Sequence, residues 1–168
     1  MVAKVSAAHL RIRPVTERDV SLVLVFIKEL AQYEQMGDQV TATEDAVRTA
    51  LFGPTPRAEA VLAVLGDTPV GFALFLRNFS TFLAKPGLYL EDLYVRPQFR
   101  GCGYGRRLLV YLARLARDQG CGRIEWSVLN WNKLAIRVYR RVGAQAQDEW
   151  TGYRLTGDAL DRLADEGG

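Results

Sequence analysis

The stretch Gly87–Gly120, GLYLEDLYVRPQFRGCGYGRRLLVYLARLARDQG, contains the elements that decide the fold. Its first part, Leu88–Val95, is apolar and aromatic apart from Glu91 and Asp92, which predicts a strand. Pro97 ends that strand, because proline has no backbone N–H to donate to a sheet ladder. A glycine-rich loop follows, and apolar side chains then recur at helical spacing: Leu108, Leu112 and Leu115. The stretch therefore predicts a strand, a loop and an amphipathic helix in succession.

The glycine-rich loop has the composition of a phosphate-binding site. It reads Arg100-Gly101-Cys102-Gly103-Tyr104-Gly105 and is followed by Arg106 and Arg107. The first turn of a helix carries partial positive charge, so each arginine there is unfavourable by roughly 0.3–1 kcal/mol unless an anion is present. Glycines leave backbone N–H groups open to a phosphate, and the arginines can add charge-assisted hydrogen bonds. The alternative is a surface turn with solvated arginines.

Two common phosphate loops do not fit the spacing. A mononucleotide P-loop needs Gly-Lys-Ser/Thr, whereas two arginines follow Gly105, and the dinucleotide fingerprint needs GxGxxG, whereas this loop is GxGxG. Arg-x-x-Gly-x-Gly after an apolar strand instead closely resembles the pyrophosphate loop of the GCN5-related N-acetyltransferases, the GNAT superfamily. Three further segments resemble the diamine branch, with its spermidine/spermine and thialysine types: KELAQYE (Lys28–Glu34), YLED (Tyr89–Asp92) and WNKLAIRVYRRVGA (Trp131–Ala144).

Composition limits the classes of protein that this chain can belong to. At 168 residues the chain suits one domain, and we expect residues 1–8 to be a flexible tail and residues 9–168 a single N-acetyltransferase domain. A net charge of +3 is too small to indicate a nucleic-acid partner. Two cysteines without CxxC spacing and one histidine predict no disulfide framework and no metal site. No segment has the length of a signal or membrane-spanning run, so we expect a cytoplasmic protein.

The remaining elements, together with the resemblance, indicate a mixed α/β (α+β) fold. We predict helices from Thr16 to about Tyr33 and from Thr43 through Leu51, and a helix that Asn130 or Asn132 begins and Gly143 ends. The other predicted elements are strands at residues 9–14, 60–65, 70–76 and 123–129, a loop at 77–86, closing strands at 144–148 and 150–155, and a helical turn or two at 158–164. The resemblance implies a GNAT-type domain with a central mixed, mostly antiparallel twisted sheet, whose fourth and fifth strands are splayed and whose faces carry helices.

The resemblance also implies how the cosubstrate binds. Acetyl-CoA would lie between the splayed strands with its pyrophosphate on the glycine loop and its pantetheine running like an extra strand along residues 93–95. The residues implied in this binding are Leu93, Tyr94, Val95, Arg100, Gly101, Cys102, Gly103, Tyr104, Gly105 and Arg106. Asn132 either contacts CoA or only caps its helix, and the two roles are compatible.

Transfer of an acetyl group from a thioester to an amine requires the amine in its neutral form. An alkyl amine with a pKa near 10.4 is only about a thousandth neutral at pH 7.4, a deficit of about 4 kcal/mol, so a base has to supply it. The resemblance implies that Glu91 is that base and that it acts through a water. A carboxylate inside an apolar strand is costly unless it is hydrogen-bonded or faces a cleft, which favours a functional role. The alternative is that Glu91 simply pairs with an arginine. The resemblance puts Asp92 near the substrate amine, but neighbouring strand residues share a cleft only if the strand bulges, and Asp92 could be structural.

The resemblance assigns three more residues. Tyr139 would protonate the departing CoA sulfur, although its spacing alone places it in the apolar stripe of its helix. Tyr33 and Glu34 match an amine-site segment, although both could be ordinary solvated residues at a helix end. The loop NFSTFLAK at 78–85 lacks the acid that polyamine enzymes carry there, which weakens the case for long polycations.

The predicted function is acetyl-CoA-dependent acetylation of a primary amine on a small molecule, by direct attack. A diamine or a thialysine-like amine is the expected acceptor. The alternatives are acetylation of a protein or antibiotic amine, and a CoA-binding module without turnover. Because the family commonly dimerises, we expect a homodimer.

Overall fold

The computed structural model describes residues 9–166 and has a mixed α/β architecture, which confirms the predicted fold class. One five-stranded sheet has the order β1-β2-β3-β4-β5. Its strands are β1 Leu10–Pro14, β2 Glu59–Leu65, β3 Thr68–Ser80, β4 Lys85–Val95 and β5 Ile124–Trp126. The helices are α1 Val20–Tyr33, α2 Glu44–Phe52, α3 Tyr104–Asp118, α4 Lys133–Arg141 and α5 Gly157–Asp165. The predicted tail, residues 1–8, lies outside the described residues.

The sheet is antiparallel from β1 to β4, and β5 joins it in parallel to β4. Short turns connect β2 to β3 and β3 to β4, so these three strands are neighbours in the sheet as they are in the chain. Helices α1 and α2 lie between β1 and β2 in the chain. β4 and β5 are parallel because α3 crosses between them, as parallel neighbours require. Strand β2 is buried at five successive positions, Ala60 to Val64, so both of its faces are covered.

Helix α1 packs its apolar side on the sheet. Val23, Phe26 and Leu30 recur at helical spacing and are buried in one cluster with Phe72 of β3 and Tyr94 of β4. The rings of Phe26 and Phe72 stack with their centroids 5.3 Å apart. Burial of each large apolar side chain contributes about 1.5–3 kcal/mol, so this cluster fixes α1 beside the end of β4.

Two ion pairs hold the ends of α1. Asp19, immediately before α1, accepts hydrogen bonds from both terminal nitrogens of Arg13 (2.7 and 2.8 Å) and from the Thr16 backbone N–H (2.7 Å). The Arg13 hydrogen bonds are the main reason that the pKa of Asp19 lies well below its usual range. Near the other end of α1, Glu29 accepts hydrogen bonds of 2.8–3.2 Å from Arg96, the residue after β4.

The structure corrects three of the predicted elements. The predicted loop at 77–86 is mostly strand, since β3 continues to Ser80 and β4 begins at Lys85. The predicted strand at 123–129 is paired only over Ile124–Trp126. The predicted closing strands at 144–148 and 150–155 are wrong: these residues form no strand and are mostly exposed, and the polar run Gln145–Asp148 offers no apolar row to bury.

The described part of the chain divides into two compact units, residues 9–133 and residues 134–166. Nearly all of α4 and the whole of α5 lie in the second unit, joined by the strandless segment at 144–156. Gly143 has a φ of +85°, a left-handed conformation that ends α4 where the sequence predicts its stop. Within residues 9–166, no helix has the length and apolar character needed to cross a membrane.

Candidate active site

Strands β4 and β5 part soon after they meet. Leu88, Tyr89 and Leu90 pair with Ile124, Glu125 and Trp126, and no pairing with β5 follows. β4 nevertheless continues to Val95, paired with β3 on its other side as far as Gly71. Residues 91–95 therefore present a strand edge that β5 does not cover. An extended ligand can pair with such an edge through its own amide groups.

The glycine loop begins five residues beyond this edge. Gly101 and Gly103 have φ values of +81° and +79°, a left-handed conformation that side chains oppose, and Gly103 is the N-cap of α3. A Cβ at either glycine would meet no atom within 4 Å, so the backbone there is open to a ligand. The N-terminus of the 15-residue α3 adds partial positive charge to this surface. The geometry therefore fits a bound diphosphate.

The three arginines of the loop region differ in their contacts. Arg107 donates a hydrogen bond of 3.0 Å to the Leu10 carbonyl and so ties α3 to β1. Arg100 donates from Nε to the Val95 carbonyl (2.8 Å), and its guanidinium lies 4.2 Å from the centre of the Tyr33 ring. Arg106 and Arg107 are both exposed in the first turn of α3, but Arg107 is held by its hydrogen bond to Leu10. Arg106 is therefore the arginine best placed to meet an anion from solvent, whereas Arg107 has a structural role.

The two carboxylates of β4, Glu91 and Asp92, lie at a β-bulge. Leu90 pairs with Phe75 and Asp92 pairs with Leu74, so Glu91 is the extra residue between two successive positions of β3. Because of the bulge, the alternation of side chains between the two faces of the sheet shifts by one residue at Glu91. Asp92 shares a face with Tyr94 and Leu74, toward the α1 cluster, which contains neither Leu88 nor Leu90. Glu91, the extra residue of the bulge, is exposed.

Asp92 carries the largest upward pKa shift among the described carboxyl groups. Burial, followed by the negative charges of Glu91 and Glu34, raises the pKa of Asp92 from 3.8 to about 6. Burial also raises the pKa of Glu34, at the end of α1. Glu91 and Glu34 thus lie close enough to Asp92 to repel its negative charge, and a cation placed beside Asp92 would relieve that repulsion.

Aromatic residues form the wall beside these carboxylates. Tyr33 lies 6.4 Å from Tyr94 and 5.7 Å from Trp131, measured between ring centres. Its hydroxyl donates a hydrogen bond of 3.4 Å to Oδ1 of Asn132. Tyr33 therefore connects the end of α1 with β4 and with the segment after β5. Trp131 is a site residue that the sequence does not single out; it lies in the segment Trp131–Ala144, directly before Asn132.

The other predicted cosubstrate residues lie along the same path. Leu93 and Val95 are half-buried, whereas the Tyr94 side chain is buried against Phe26, which leaves mainly its backbone available to a ligand. Cys102 is exposed, with its Sγ 3.8 Å from the Arg100 carbonyl. Tyr104 and Gly105 open α3, and a Cβ at Gly105 would sit 4.0 Å from the Val95 side chain.

Tyr139 belongs to the second compact unit. It lies in α4 and is half-buried, and its carbonyl accepts a hydrogen bond from the Ala144 N–H. The first unit contains the other predicted catalytic and acceptor-site residues, and the contacts above bring all four of them into one region: Glu91, Asp92, Glu34 and Tyr33.

Two further features lie outside this region. A cavity of about 640 Å³ is lined by α2 and by the ends of β1, β2 and β3, and none of the predicted site residues lines it. We place the candidate site at the edge of β4 because the open glycines, the carboxylates and the unpaired strand edge all meet there. Across residues 9–166, no group of three or more His, Cys, Asp or Glu side chains could hold a metal ion.

Comparison with known proteins agrees with this geometry. The model of the Acetyltransferase (GNAT) family matches residues 27–144. The chain is 37% identical to thialysine N-epsilon-acetyltransferase of Bos taurus, covering 94% of this chain and 98% of that one. It is 31% identical to an L-ornithine N5-acetyltransferase of Arabidopsis thaliana, covering 91% and 87%.

A solved structure has the same fold. The integron cassette protein from the mobile metagenome of V. cholerae superposes with a TM-score of 0.77 at 30% identity, covering 93% of this chain and 98% of that one. The family match spans the candidate edge, the glycine loop and α3, and the similarity extends over nearly the whole chain. The chain therefore belongs to the GNAT family and is an N-acetyltransferase.

Proposed function

We propose that this protein transfers the acetyl group of acetyl-CoA to a primary amine of a small molecule by direct attack of that amine. One observation carries the proposal. A single strand, β4, bears the carboxylates Glu91 and Asp92 at its bulge and leads directly into the glycine loop at the N-terminus of α3. An anionic cosubstrate and a cationic acceptor can thus meet along one strand edge.

The glycine loop is the proposed diphosphate site. Gly101, Gly103 and Gly105 leave the backbone accessible, and Arg106 adds an exposed positive charge. The uncovered edge at Leu93–Val95 would pair with the amide groups of the pantetheine, and Cys102, Tyr104 and Asn132 would line the same path. This arrangement leads the cosubstrate from the loop toward the bulge.

The carboxylates are the proposed acceptor site. An approaching ammonium would be attracted by Asp92 and Glu34, whose pKa values are raised chiefly by burial, and Tyr33 would form one wall. The names of two relatives support a small amine, since one gives thialysine and the other ornithine as the compound acetylated. We therefore expect the acceptor to be a diamine or a thialysine-like amine.

Each chemical role falls to a separate group. Acetyl-CoA, when bound, supplies an acetyl group on a thioester. Glu91 accepts, through a water, the proton that the ammonium must lose before its nitrogen attacks the thioester carbon. A backbone N–H at or near Leu93 donates to the carbonyl oxygen as negative charge develops there. Tyr139 donates its phenol proton to the sulfur as the carbon–sulfur bond breaks, and the second proton that the attacking nitrogen loses on becoming an amide restores the phenol. Support for this role is the family match over residues 27–144, which includes α4.

The proposal includes a cytoplasmic homodimer. Both cysteines are free, as is usual in a reducing compartment. The tip of the β3–β4 hairpin exposes Phe79, Phe82 (94% exposed) and Leu83, and large exposed apolar groups are typical of a contact surface. Sedimentation equilibrium checks the oligomeric state: a mass equal to one chain contradicts the dimer.

The test is a turnover screen with acetyl-CoA. The candidate acceptors are diamines, thialysine, ornithine, lysine, aminoglycosides and peptides, with CoA release followed by a thiol reagent. We expect turnover with the small amines, and a loss of about 100-fold or more in kcat for Glu91→Gln and for Tyr139→Phe. The exposed Glu149→Gln and Tyr153→Phe serve as matched controls. Unchanged rates in both test variants contradict the assigned roles, and turnover only with peptides or aminoglycosides contradicts the proposed acceptor.

A further inference from the structure

Arg100 is half-buried and makes three contacts with neighbouring elements of the fold. Its Nε donates to the Val95 carbonyl at 2.8 Å, and its guanidinium carbon lies 4.2 Å from the centre of the Tyr33 ring and 5.5 Å from that of Tyr94. The guanidinium therefore lies over the Tyr33 ring within the range of a cation–π interaction. Arg100 is also the residue that leads into the glycine loop, so its position depends on the conformation of that loop.

Tyr33 stands at the other end of this contact. It precedes Glu34, one of the three carboxylates around the bulge, and it touches the segment after β5 through Trp131 and Asn132. The Tyr33 ring is thus held from the loop side by Arg100 and from the β5 side by Trp131. A shift of Arg100 would release the ring and the chain end that carries Glu34.

We infer that Arg100 is a positioning residue that couples the two halves of the site: a ligand on the glycine loop fixes Arg100, Arg100 fixes Tyr33, and Tyr33 fixes the acceptor end at Glu34. The inference rests on the proposed function, since it takes the loop as the CoA site and the carboxylates as the amine site. It gives Arg100 a task different from that of Arg106, whose exposed side chain serves the cosubstrate alone.

Coupling of this kind is reciprocal and measurable. If CoA tightens the binding of the amine by some factor, the amine tightens the binding of CoA by the same factor. One cation–π contact is worth a factor of about 2 to 30 in an equilibrium constant, so its loss should remove most of a coupling of about fivefold. A residue that only binds the diphosphate would weaken CoA affinity and leave this factor unchanged.

The experiment measures the coupling factor by calorimetry. The dissociation constant of an amine accepted in the turnover screen is determined with and without saturating CoA, which binds but has no acetyl group to transfer. The proteins are wild type, Arg100→Met, Arg100→Lys, Tyr33→Leu, the double variant Arg100→Met/Tyr33→Leu, and Arg106→Gln as the matched control.

We expect CoA to tighten amine binding about fivefold or more in wild type and in Arg106→Gln, although Arg106→Gln binds CoA more weakly. Arg100→Met and Tyr33→Leu should each bring the factor close to one, the double variant should add nothing further, and Arg100→Lys should restore part of the factor. In steady-state kinetics, Arg100→Met should raise the KM for the amine more than it lowers kcat.

Several outcomes contradict the inference. No coupling in wild type, or an equal factor in wild type and Arg100→Met, shows that Arg100 does not connect the two sites. If Arg100→Met fails to fold by circular dichroism, Tyr33→Leu decides alone, and an unchanged factor there has the same meaning. Turnover with unchanged coupling in the variants contradicts this inference only, whereas absence of turnover with every amine contradicts the proposed function as well.

Discussion

Replacing Asp92 by asparagine should stabilise the fold at neutral pH, and the gain should disappear in acid. Burial, with help from Glu91 and Glu34, raises the pKa of Asp92 from 3.8 to about 6 in the folded protein. A raised folded-state pKa means that ionising Asp92 is harder in the folded protein than in the unfolded chain. Below pH 3.8 both states hold the proton and the penalty is absent. It grows as the pH rises through 6 and is constant above that.

The size of the effect follows from the two pKa values. At 1.36 kcal/mol per pKa unit, the difference between 3.8 and about 6 corresponds to about 3 kcal/mol at pH 8, roughly half of that at pH 5 and about 0.6 kcal/mol at pH 4. Asparagine has nearly the same shape and cannot ionise, so the Asp92→Asn protein should avoid the penalty. The same substitution should lower kcat/KM for the amine, because a carboxylate of the proposed acceptor site is lost.

Urea unfolding of both proteins at pH 4, 5, 6 and 8 measures this difference, because the pH dependence of every group that does not interact with Asp92 is common to both. The exposed Asp148→Asn is the control, with an expected change within about 0.5 kcal/mol at every pH. A difference between wild type and Asp92→Asn that stays constant from pH 4 to pH 8, or that increasingly favours wild type as the pH rises, would refute the reasoning.

Three other substitutions test separate features. Asp19→Asn should destabilise the fold by about 2–3 kcal/mol, because it leaves Arg13 without its partner. Its cost in urea unfolding should shrink as the pH falls below about 4, because the unfolded wild-type chain takes up a proton at Asp19 before the folded protein does. Gly103→Ala should weaken CoA binding by calorimetry about tenfold or more, because φ is +79° there, whereas Gly152→Ala should leave it unchanged. Ala84→Gly should raise stability by up to about 1 kcal/mol, because φ is +49° at this alanine; a lower thermal midpoint contradicts that assignment of strain.

The strand, loop and helix over residues 87–120 could be predicted from sequence because each carries a local signal. Apolar β-forming residues, Pro97, the glycines and the helical spacing from Leu108 all act over a few residues. The predicted closing strands at 144–148 and 150–155 are absent from the structure, because strand pairing also needs a partner edge, which a short window of sequence does not contain. The same reason explains the end of the β3–β4 hairpin. The sequence predicts a loop at 77–86, whereas Asn78 to Ser80 pair with Lys85 to Gly87.

The contacts of Arg100 and the exposure of Arg106 could not be distinguished from sequence either. Both arginines flank the same glycines, and a motif records their spacing but not the direction of their side chains. That direction depends on Tyr33, which is far away along the chain and reaches Arg100 only because Phe26 and Glu29 fix α1 beside the end of β4. Residues at long sequence separation therefore decide that Arg100 packs on Tyr33 while Arg106 stays exposed at the loop.

The bulge at Glu91 explains why alternation alone gives an incomplete account of this site. In a regular strand, Leu88, Leu90, Asp92 and Tyr94 would share one face, and Asp92 would lie in the row of Leu88 and Leu90. The extra residue moves Asp92 and Tyr94 to the α1 face, because Asp92 pairs with Leu74 while Leu90 pairs with Phe75. A bulge depends on the pairing of two strands and leaves no mark in the sequence of one of them. The carboxylate that burial and charge perturb most is thus brought toward Glu34 by a single unpaired position in the sheet.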